Sequence, residues 1–440
     1  MRWTLDHVAG IVGGSVGATG VITSVSIDSR RPVDSETLFV AIKGEVHDGH
    51  DFVGEVLQRG VGAVLVERSA GSANEIVVED TLVALSKLAS ARRNEVDIPA
   101  IGITGSSGKT STKDLVSSVL GSDAHASPKS FNNEIGVPLT ILGTPDTATY
   151  LVIEVGSRGR GHIEKLVDII KPTIAVITTI GVAHSEFLKN EADVRNAKFE
   201  LAIGTDGPLV LPAGDTELIA MAAGRDVLTF GSERSSPDGA DYWATDLELD
   251  DLGRVGFRMV TPTGSLRVQL GVSGLHNAHN AAAAIAVGQL CDVDIPDIAE
   301  RLQRAALSPW RMEVHRGRYT VVNDSYNANP ESMASALETV AAMGGRPVAI
   351  LGAMEELGDR EVSDHLAIGD LARSLGFKIV TIGPDRGYRP DVTFESVEAA
   401  ATGMREIIAA DDTVLIKASR AAGLERLAAS LIADLEEART

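Results

Sequence analysis

The densest chemistry in this chain lies in Gly102-Ile103-Thr104-Gly105-Ser106-Ser107-Gly108-Lys109-Thr110. The segment follows the apolar Pro99-Ala100-Ile101 and runs into a helical pattern with Leu115, Val116, Val119 and Leu120 on one face. Strand, glycine-rich turn and helix in that order form a phosphate cradle. Glycines leave backbone N–H groups free to point at an anion, and the helix N-terminus adds partial positive charge. Lys109 would reach the outer phosphates of a nucleotide, and the Thr110 hydroxyl would sit on its Mg²⁺. The usual loop has Gly six positions before the Lys, where this chain has Ile103. The shortened form points to a subset of ATP users.

Other residues have the chemistry to join that loop. Glu154 ends the apolar run Leu151-Val152-Ile153, where a strand-end carboxylate can bind Mg²⁺ or cap a turn. His184 follows an apolar strand taken to end at Ile180, and reads as either a structural or a site histidine. Lys198, in the helical run from Val194 to Leu201, reads by periodicity as a solvated helix lysine. Asn132 and Asn133 lie in Ser130-Phe131-Asn132-Asn133-Glu134-Ile135-Gly136-Val137-Pro138, by itself an Asn-rich turn. Asn277 is a candidate N-cap; alternatively Asn277 and Asn280 read a base edge or fix a carboxylate. Arg311 and Asp324 could reach a nucleotide between domains, or be surface charges.

These residues need elements to hold them. With 440 residues the chain should divide into two to four domains, at roughly 100–200 residues each. Short buried strands at Leu38–Ile42 and Ala63–Val66 predict a small N-terminal α/β unit. Regular βα alternation follows to about residue 205, with strands at Leu151–Ile153 and Ile174–Ile177 suited to a parallel sheet covered on both faces. Val255–Val260 and Leu266–Leu270 read as antiparallel strands around Pro262-Thr263-Gly264, and an Ala-rich helix is predicted over Asn277–Leu290. Beyond Pro309 a second doubly wound unit has strands at Thr320–Val322, Val348–Leu351, Ile379–Ile382 and Val414–Ile416, with a closing helix over Gly423–Glu437.

Composition narrows the class. With 44% hydrophobic and 23% charged residues the chain reads as an ordinary soluble globular protein. A net charge of −21 without a basic stripe argues against nucleic-acid or anionic-membrane partners, so a nucleotide must be held by local cations. The lone Cys291 permits no intramolecular disulfide and suggests a reducing compartment. The N-terminus has no signal pattern, and no apolar run reaches the ~18 residues of a membrane span, so a cytoplasmic protein without integral membrane contact is expected.

Taken together, these motifs resemble the Mur ligase family over essentially the whole chain and in family order. The carriers are Thr104–Thr110, Asn132–Pro138, Glu154 with Val155-Gly156, Ala183-His184, Ala197-Lys198, Gly274–Asn280, Arg311-Met312-Glu313 and Asn323–Asn329. The resemblance implies a three-domain α/β architecture. Its parts are a small N-terminal α/β domain for a UDP-sugar (1–80), a central P-loop ATPase domain with a mainly parallel sheet (81–311), and a C-terminal Rossmann-like domain for the amino substrate (312–440).

It also implies roles residue by residue. Thr104, Gly105, Ser106, Ser107, Gly108, Lys109 and Thr110 would hold ATP and a first Mg²⁺. Glu154, His184 and a carbamylated Lys198 would serve a second Mg²⁺, with Lys109, Glu154, His184 and Lys198 as the catalytic set. Asn277 and Asn280 would approach the adenine, and Arg311 and Asp324 the phosphate and ribose. Ser29, Arg30, Lys43, Asp48 and His50 resemble the uridine-diphosphate sugar site, with Asn132 and Asn133 also on the substrate side. Tyr326, Asn327, Asn329, Lys417 and Arg420 resemble the region for an incoming dipeptide. Relatives usually carry glycine at Ala418 and often at Trp310.

The activity implied is ATP-dependent ligation of D-Ala-D-Ala to UDP-N-acetylmuramoyl-tripeptide through an acyl phosphate, and the resemblance implies a monomer. A sibling ligase adding a diamino acid is the alternative, although its usual Asp-Asn-Pro-Arg stretch is absent. A non-catalytic nucleotide-binding relative is a third reading, opposed by the joint presence of Lys109, Glu154, His184 and Lys198.

Overall fold

The computed structural model describes residues 1–44, 46–157, 159–181, 190–236 and 239–437. His184 lies outside the described residues. Three principal sheets, whose central strands include the continuous apolar runs seen in sequence, follow one another along the chain.

The first sheet is four-stranded and parallel: Ser24–Ser26, Thr37–Val40, Ala63–Val66 and Glu75–Val77, in that order. Its two central strands are buried at every position, as strands covered on both faces must be. The helix Thr81–Glu95 begins where the Asp80 carboxylate accepts from the N–H groups of Leu82 and Val83. It packs both on the helix Leu5–Val12 and on the helices Gly136–Leu142 and His162–Ile170 of the next unit. The buried Arg93 guanidinium donates to the carbonyls of Ile170 at 2.7 Å, Ile98 at 3.1 Å and Lys171 at 3.3 Å.

The second sheet has nine strands, in the order Gly264–Ser273, Arg254–Thr261, Tyr242–Leu249, Val227–Ser232, Leu209–Pro212, Ile174–Ile177, Ala100–Thr104, Tyr150–Glu154 and Ala124–Ala126. Only the first two pairings in that order are antiparallel. The chain leaves Ala100–Thr104 toward both sides of the sheet, which opens a crevice beyond the carboxyl ends of these strands. The helix Lys109–Leu120 starts there and packs on the Ala-rich helix Asn277–Leu290. A Cβ on Gly288 would lie 2.4 Å from Val119 Cγ1, so glycine permits this close helix contact.

The third sheet has six strands: Glu313–Arg316, Thr320–Asn323, Asp412–Lys417, Arg346–Leu351, Lys378–Ile382 and Val392–Phe394. All pairings but the first are parallel. Helices Pro330–Ala342 and Glu361–Ser374 pack together, as do Val397–Ile407 and Glu425–Glu437, and two separate cores form. This is the doubly wound unit expected from the sequence. The antiparallel strand Glu313–Arg316 was not legible, because half-buried edge residues give no apolar run. The strand expected to end at Ile180 stops at Ile177.

Candidate active site

The phosphate loop takes the shape its glycines permit. Gly105 has φ +151°, and a Cβ there would lie 2.0 Å from Thr178 Oγ1; Gly108 is left-handed at φ +77°. A Cβ on Gly108 would lie 2.7 Å from Asn280 Oδ1. The loop is also held from beneath. Thr178 Oγ1 donates to the Ser107 carbonyl at 2.6 Å, and Ser107 N–H donates to Thr179 Oγ1 at 3.1 Å. The Ser106 hydroxyl donates to the Gly181 carbonyl at 2.7 Å, while Thr104 Oγ1 donates to Val155 O at 2.8 Å.

Lys109 Nζ folds back to donate to the carbonyls of Gly105 at 2.6 Å and Ser106 at 3.1 Å. Its side chain is half-exposed by surface area but lies in a deep cleft. Desolvation there lowers the ammonium pKa, against the opposing pull of Glu154.

Glu154 is buried at the end of its strand and collects the groups beside the loop. Its Oε2 accepts from the Thr110 hydroxyl at 2.7 Å and its Oε1 from Asn132 Nδ2 at 2.7 Å. Arg311 donates to the same Thr110 hydroxyl at 2.9 Å. Among the described residues no group of three His, Cys, Asp or Glu side chains could hold a metal by itself. A hydroxyl and a carboxylate beside a phosphate loop nevertheless form the sparse oxygen set that suits Mg²⁺, whose remaining ligands are phosphate oxygens and water.

Lys198 corrects the reading from periodicity: it is 1% exposed. Its Nζ has no hydrogen-bond partner among the described residues, and burial, with Lys109 adding repulsion, lowers its pKa to about 7. An unpartnered interior amine whose charged form burial disfavours has the chemistry to accept a modification that makes it an anion.

The Ala-rich helix contributes differently from expectation. Its N-cap is His276, without a side-chain cap bond, so Asn277 is not the cap. Asn277 Nδ2 donates to Ser273 O at 2.7 Å, and Asn280 Nδ2 donates to Asn277 Oδ1 at 2.9 Å. Both amides are buried, and Asn280 lies against Gly108 of the loop. His276, given no role in the sequence reading, lines the cleft with Nδ1 unpartnered among the described residues; burial pushes its pKa down to about 4, so the ring is neutral.

The third unit closes the far wall. Asp324 Oδ2 accepts from Lys417 Nζ at 2.6 Å, and the same ammonium donates to Asn327 O at 2.9 Å. The Arg311 guanidinium lies 4.1 Å from the centre of the Tyr326 ring, whose hydroxyl meets Ser130 Oγ. Arg420 stacks 4.3 Å over Trp310, which is left-handed at φ +64°. Glu331, at the start of the helix Pro330–Ala342, accepts from Ser107 Oγ at 2.9 Å. Asn329 is consumed as the capping box of that helix, accepting from Ser332 N–H. Asn133 Oδ1 likewise accepts from the Gly136 N–H at 2.9 Å.

Together these walls enclose a cleft of about 1130 Å³ that brings Lys109, Thr110, Glu154, Asn132, Asn280, Arg311, Asp324, Tyr326, Lys417 and Arg420 to one place. Ser29, Arg30, Lys43, Asp48 and His50 do not line it. Arg30 is 88% exposed and paired with Asp28, whose pKa falls to about 2 through hydrogen bonds from Arg30. His50 Nδ1 lies 2.6 Å from Asp48 Oδ1, while its Nε2 accepts from Glu67 N–H at 2.9 Å. Lys43 bridges to Asp48 through the backbone, and the Ser29 carbonyl accepts from Arg59.

Three family models match successive parts of the chain: Mur ligase family catalytic domain over 21–97, Mur ligase middle domain over 103–288, and Mur ligase glutamate ligase domain over 310–420. The chain is 35% identical to the UDP-N-acetylmuramoyl-tripeptide–D-alanyl-D-alanine ligase of Mycobacterium leprae, covering 98% of each. A crystal structure of MurF from Acinetobacter baumannii superposes with a TM-score of 0.89 at 29% identity, over 98% of this chain and 99% of that one. MurF from Thermotoga maritima in complex with ADP gives 0.83 at 28% identity, over 94% and 98%.

Proposed function

The chain belongs to the Mur ligase family, and from that premise we propose that it joins D-Ala-D-Ala to UDP-N-acetylmuramoyl-tripeptide at the expense of ATP. Full-length likeness to ligases of that name supports the substrates. The observation that carries the chemistry is the convergence of Lys109, Thr110, Glu154 and Arg311 with third-unit residues in one cleft.

A carboxylate does not react with an amine at neutral pH, because it has no adequate leaving group. The tripeptide carboxylate oxygen attacks the γ-phosphorus of ATP and ADP leaves, giving an acyl phosphate. The neutral amine of the dipeptide then attacks the acyl carbon. Phosphate departs with the carbonyl electrons restored, and the amine gives up one proton to phosphate or solvent while the other stays on the new amide nitrogen. Lys109 and the N–H groups of the loop hold the transferring phosphoryl group, and Arg311 adds charge from the hinge. Thr110 would hold one Mg²⁺, with Glu154, His184 and a carbamylated Lys198 serving a second; such ions supply charge neutralisation on the phosphoryl oxygens.

Asp324 and Lys417, joined as an ion pair, would face the ribose and dipeptide, and Tyr326 and Arg420 would orient the dipeptide carboxylate. Asn277 and Asn280 act by shaping the loop's rear wall beside the adenine. Ser29, Arg30, Lys43, Asp48 and His50 form the proposed uridine-diphosphate region of the first unit, reached by the long nucleotide substrate. The proposed boundaries are 1–80, 81–311 and 312–440. No helix among the described residues is long and apolar enough to cross a membrane, and we place the enzyme in the cytoplasm as a monomer.

Phosphate release measured with a panel of UDP-muramoyl peptides against D-Ala-D-Ala and single amino acids tests the assignment. Turnover that requires both tripeptide and dipeptide is expected. Preference for a diamino acid with the shorter peptide would overturn it.

A further inference from the structure

Two adjacent charged residues on the phosphate-loop helix are buried and have no part in the chemistry described above. The Lys113 side chain is 3% exposed and that of Asp114 12%, with Nζ and Oδ1 2.8 Å apart. Removing such a pair from water is costly, and it is retained where its hydrogen bonds fix a geometry.

The bonds here run in two directions. Lys113 Nζ donates to Ser127 O at 2.8 Å and Lys129 O at 3.1 Å. Ser127 Oγ in turn accepts from the backbone N–H of Glu154 at 3.1 Å, and the same segment continues into Ser130 and Asn132. Asp114 Oδ2 accepts from Ser308 N–H at 2.6 Å and its Oδ1 from Ser308 Oγ at 3.2 Å. Ser308 begins the linker that delivers Trp310 and Arg311.

Thr110 and Asp114 are four residues apart, and so share a helix face. That face grips the linker twice, at Ser308 through Asp114 and at Arg311 through Thr110. Tyr326 of the third unit then docks on both braced segments, touching Ser130 through its hydroxyl and Arg311 through its ring.

We propose that Lys113 and Asp114 are positioning residues for phosphoryl transfer: Lys113 sets the turn that carries Asn132 and supports Glu154, and Asp114 sets the hinge that carries Arg311. The helix that holds the nucleotide thereby fixes where the third unit closes. The kinetic part of this inference rests on the ligase reading; the hinge part does not.

The experiment combines kinetics with fluorine NMR on enzyme labelled with 5-fluorotryptophan. The three tryptophans give three resonances, and Trp310 is assigned with Trp310→Phe. In Asp114→Ala, kcat should fall about tenfold or more while ADP affinity stays within about threefold, because the loop is intact. The Trp310 resonance should broaden or shift, with those of Trp3 and Trp243 unchanged. Asp114→Asn keeps the volume and one acceptor for Ser308 and should lose less. Asp114→Glu should recover part of kcat. Lys113→Met should lower kcat with the Trp310 resonance unmoved.

Wild-type kcat in folded Asp114→Ala or Lys113→Met, parallel loss of kcat and ADP binding, or a Trp310 resonance unmoved in Asp114→Ala would each overturn the proposal. If wild-type enzyme turned over no amine at all, the ligase reading would fail while the Trp310 resonance still decided the hinge.

Discussion

Arg311 and Thr110 share a hydrogen bond of 2.9 Å although they are 201 positions apart in sequence. One belongs to the linker into the third unit and the other to the first turn of the phosphate-loop helix. The hydroxyl that would face a metal therefore already reports on where the linker sits. The phosphate-loop helix and the linker are joined through one oxygen atom.

Lys109 is the cation nearest the loop carbonyls, and its field is set against those of Glu154, Glu331 and Glu356. Lys109→Ala should abolish ADP release that depends on both tripeptide nucleotide and dipeptide, a loss of about a thousandfold or more. A coupled ADP assay measures it. Undiminished dipeptide-dependent turnover would remove the phosphate role.

Glu154 accepts from Thr110 and Asn132, so Glu154→Gln keeps the shape but removes the charge. The Mg²⁺ concentration for half-maximal rate should rise by about tenfold or more. Titration of activity with Mg²⁺ reads this directly. An unchanged Mg²⁺ requirement would place the ion elsewhere.

Lys198 makes a prediction with a definite sign. Its folded pKa of about 7 lies below the ordinary value of 10.5. Between those values the unfolded chain holds a proton that the folded chain has released, so stability rises with pH across that window, by about 1.4 kcal/mol per unit. Below pH 7 the full burial penalty is present. Thermal melts in bicarbonate-free buffer should show this slope in wild type and lose it in Lys198→Met. Lys198→Ala should be nearly inactive and partly restored by a short carboxylic acid; full unrescued activity would return Lys198 to a structural role.

Glu331 places a carboxylate on Ser107, within the field of Lys109, where ATP phosphates are expected. Glu331→Gln should tighten ATP binding by about two- to fivefold, since the pair is exposed and screened. Adenosine affinity should stay constant. Calorimetry with both ligands separates the charge effect from a general change in the cleft.

Trp310 combines a left-handed backbone with the stack under Arg420. In Trp310→Gly the backbone is relieved while the stack, worth about 0.5–1 kcal/mol at an exposed site, is lost. The melting temperature should barely move, and KM for the dipeptide should rise by about two- to fivefold. A changed ATP KM with an unchanged dipeptide KM would contradict the assignment of Arg420.

Much of this was legible from local pattern. The Ala-rich helix spans Asn277–Leu290 as expected, the strands Ala63–Val66 and Ile174–Ile177 match, and the loop stands at the crevice. Lys198 was misread because periodicity identifies the face of Val194, Ala197 and Leu201 but not how deeply its neighbour is covered by other elements. The capping role of Asn329 was legible too: Asn before Pro330, with Ser332 three residues on, is a helix start, and the residue also lines the cleft. Asp114–Ser308 and Ser130–Tyr326 join residues 194 and 196 positions apart, and no local pattern encodes such pairs.

Arg93 brings carbonyls from Ile98, Ile170 and Lys171 onto one guanidinium, on the helix Thr81–Glu95 that packs against the first sheet's unit over a shared apolar core. Pulling that helix away would strand a buried cation and open that core together. The first two sheets are therefore tied through one continuous apolar core. The third sheet keeps two cores of its own, and the chain reaches it through the few residues from Ser308 to Met312.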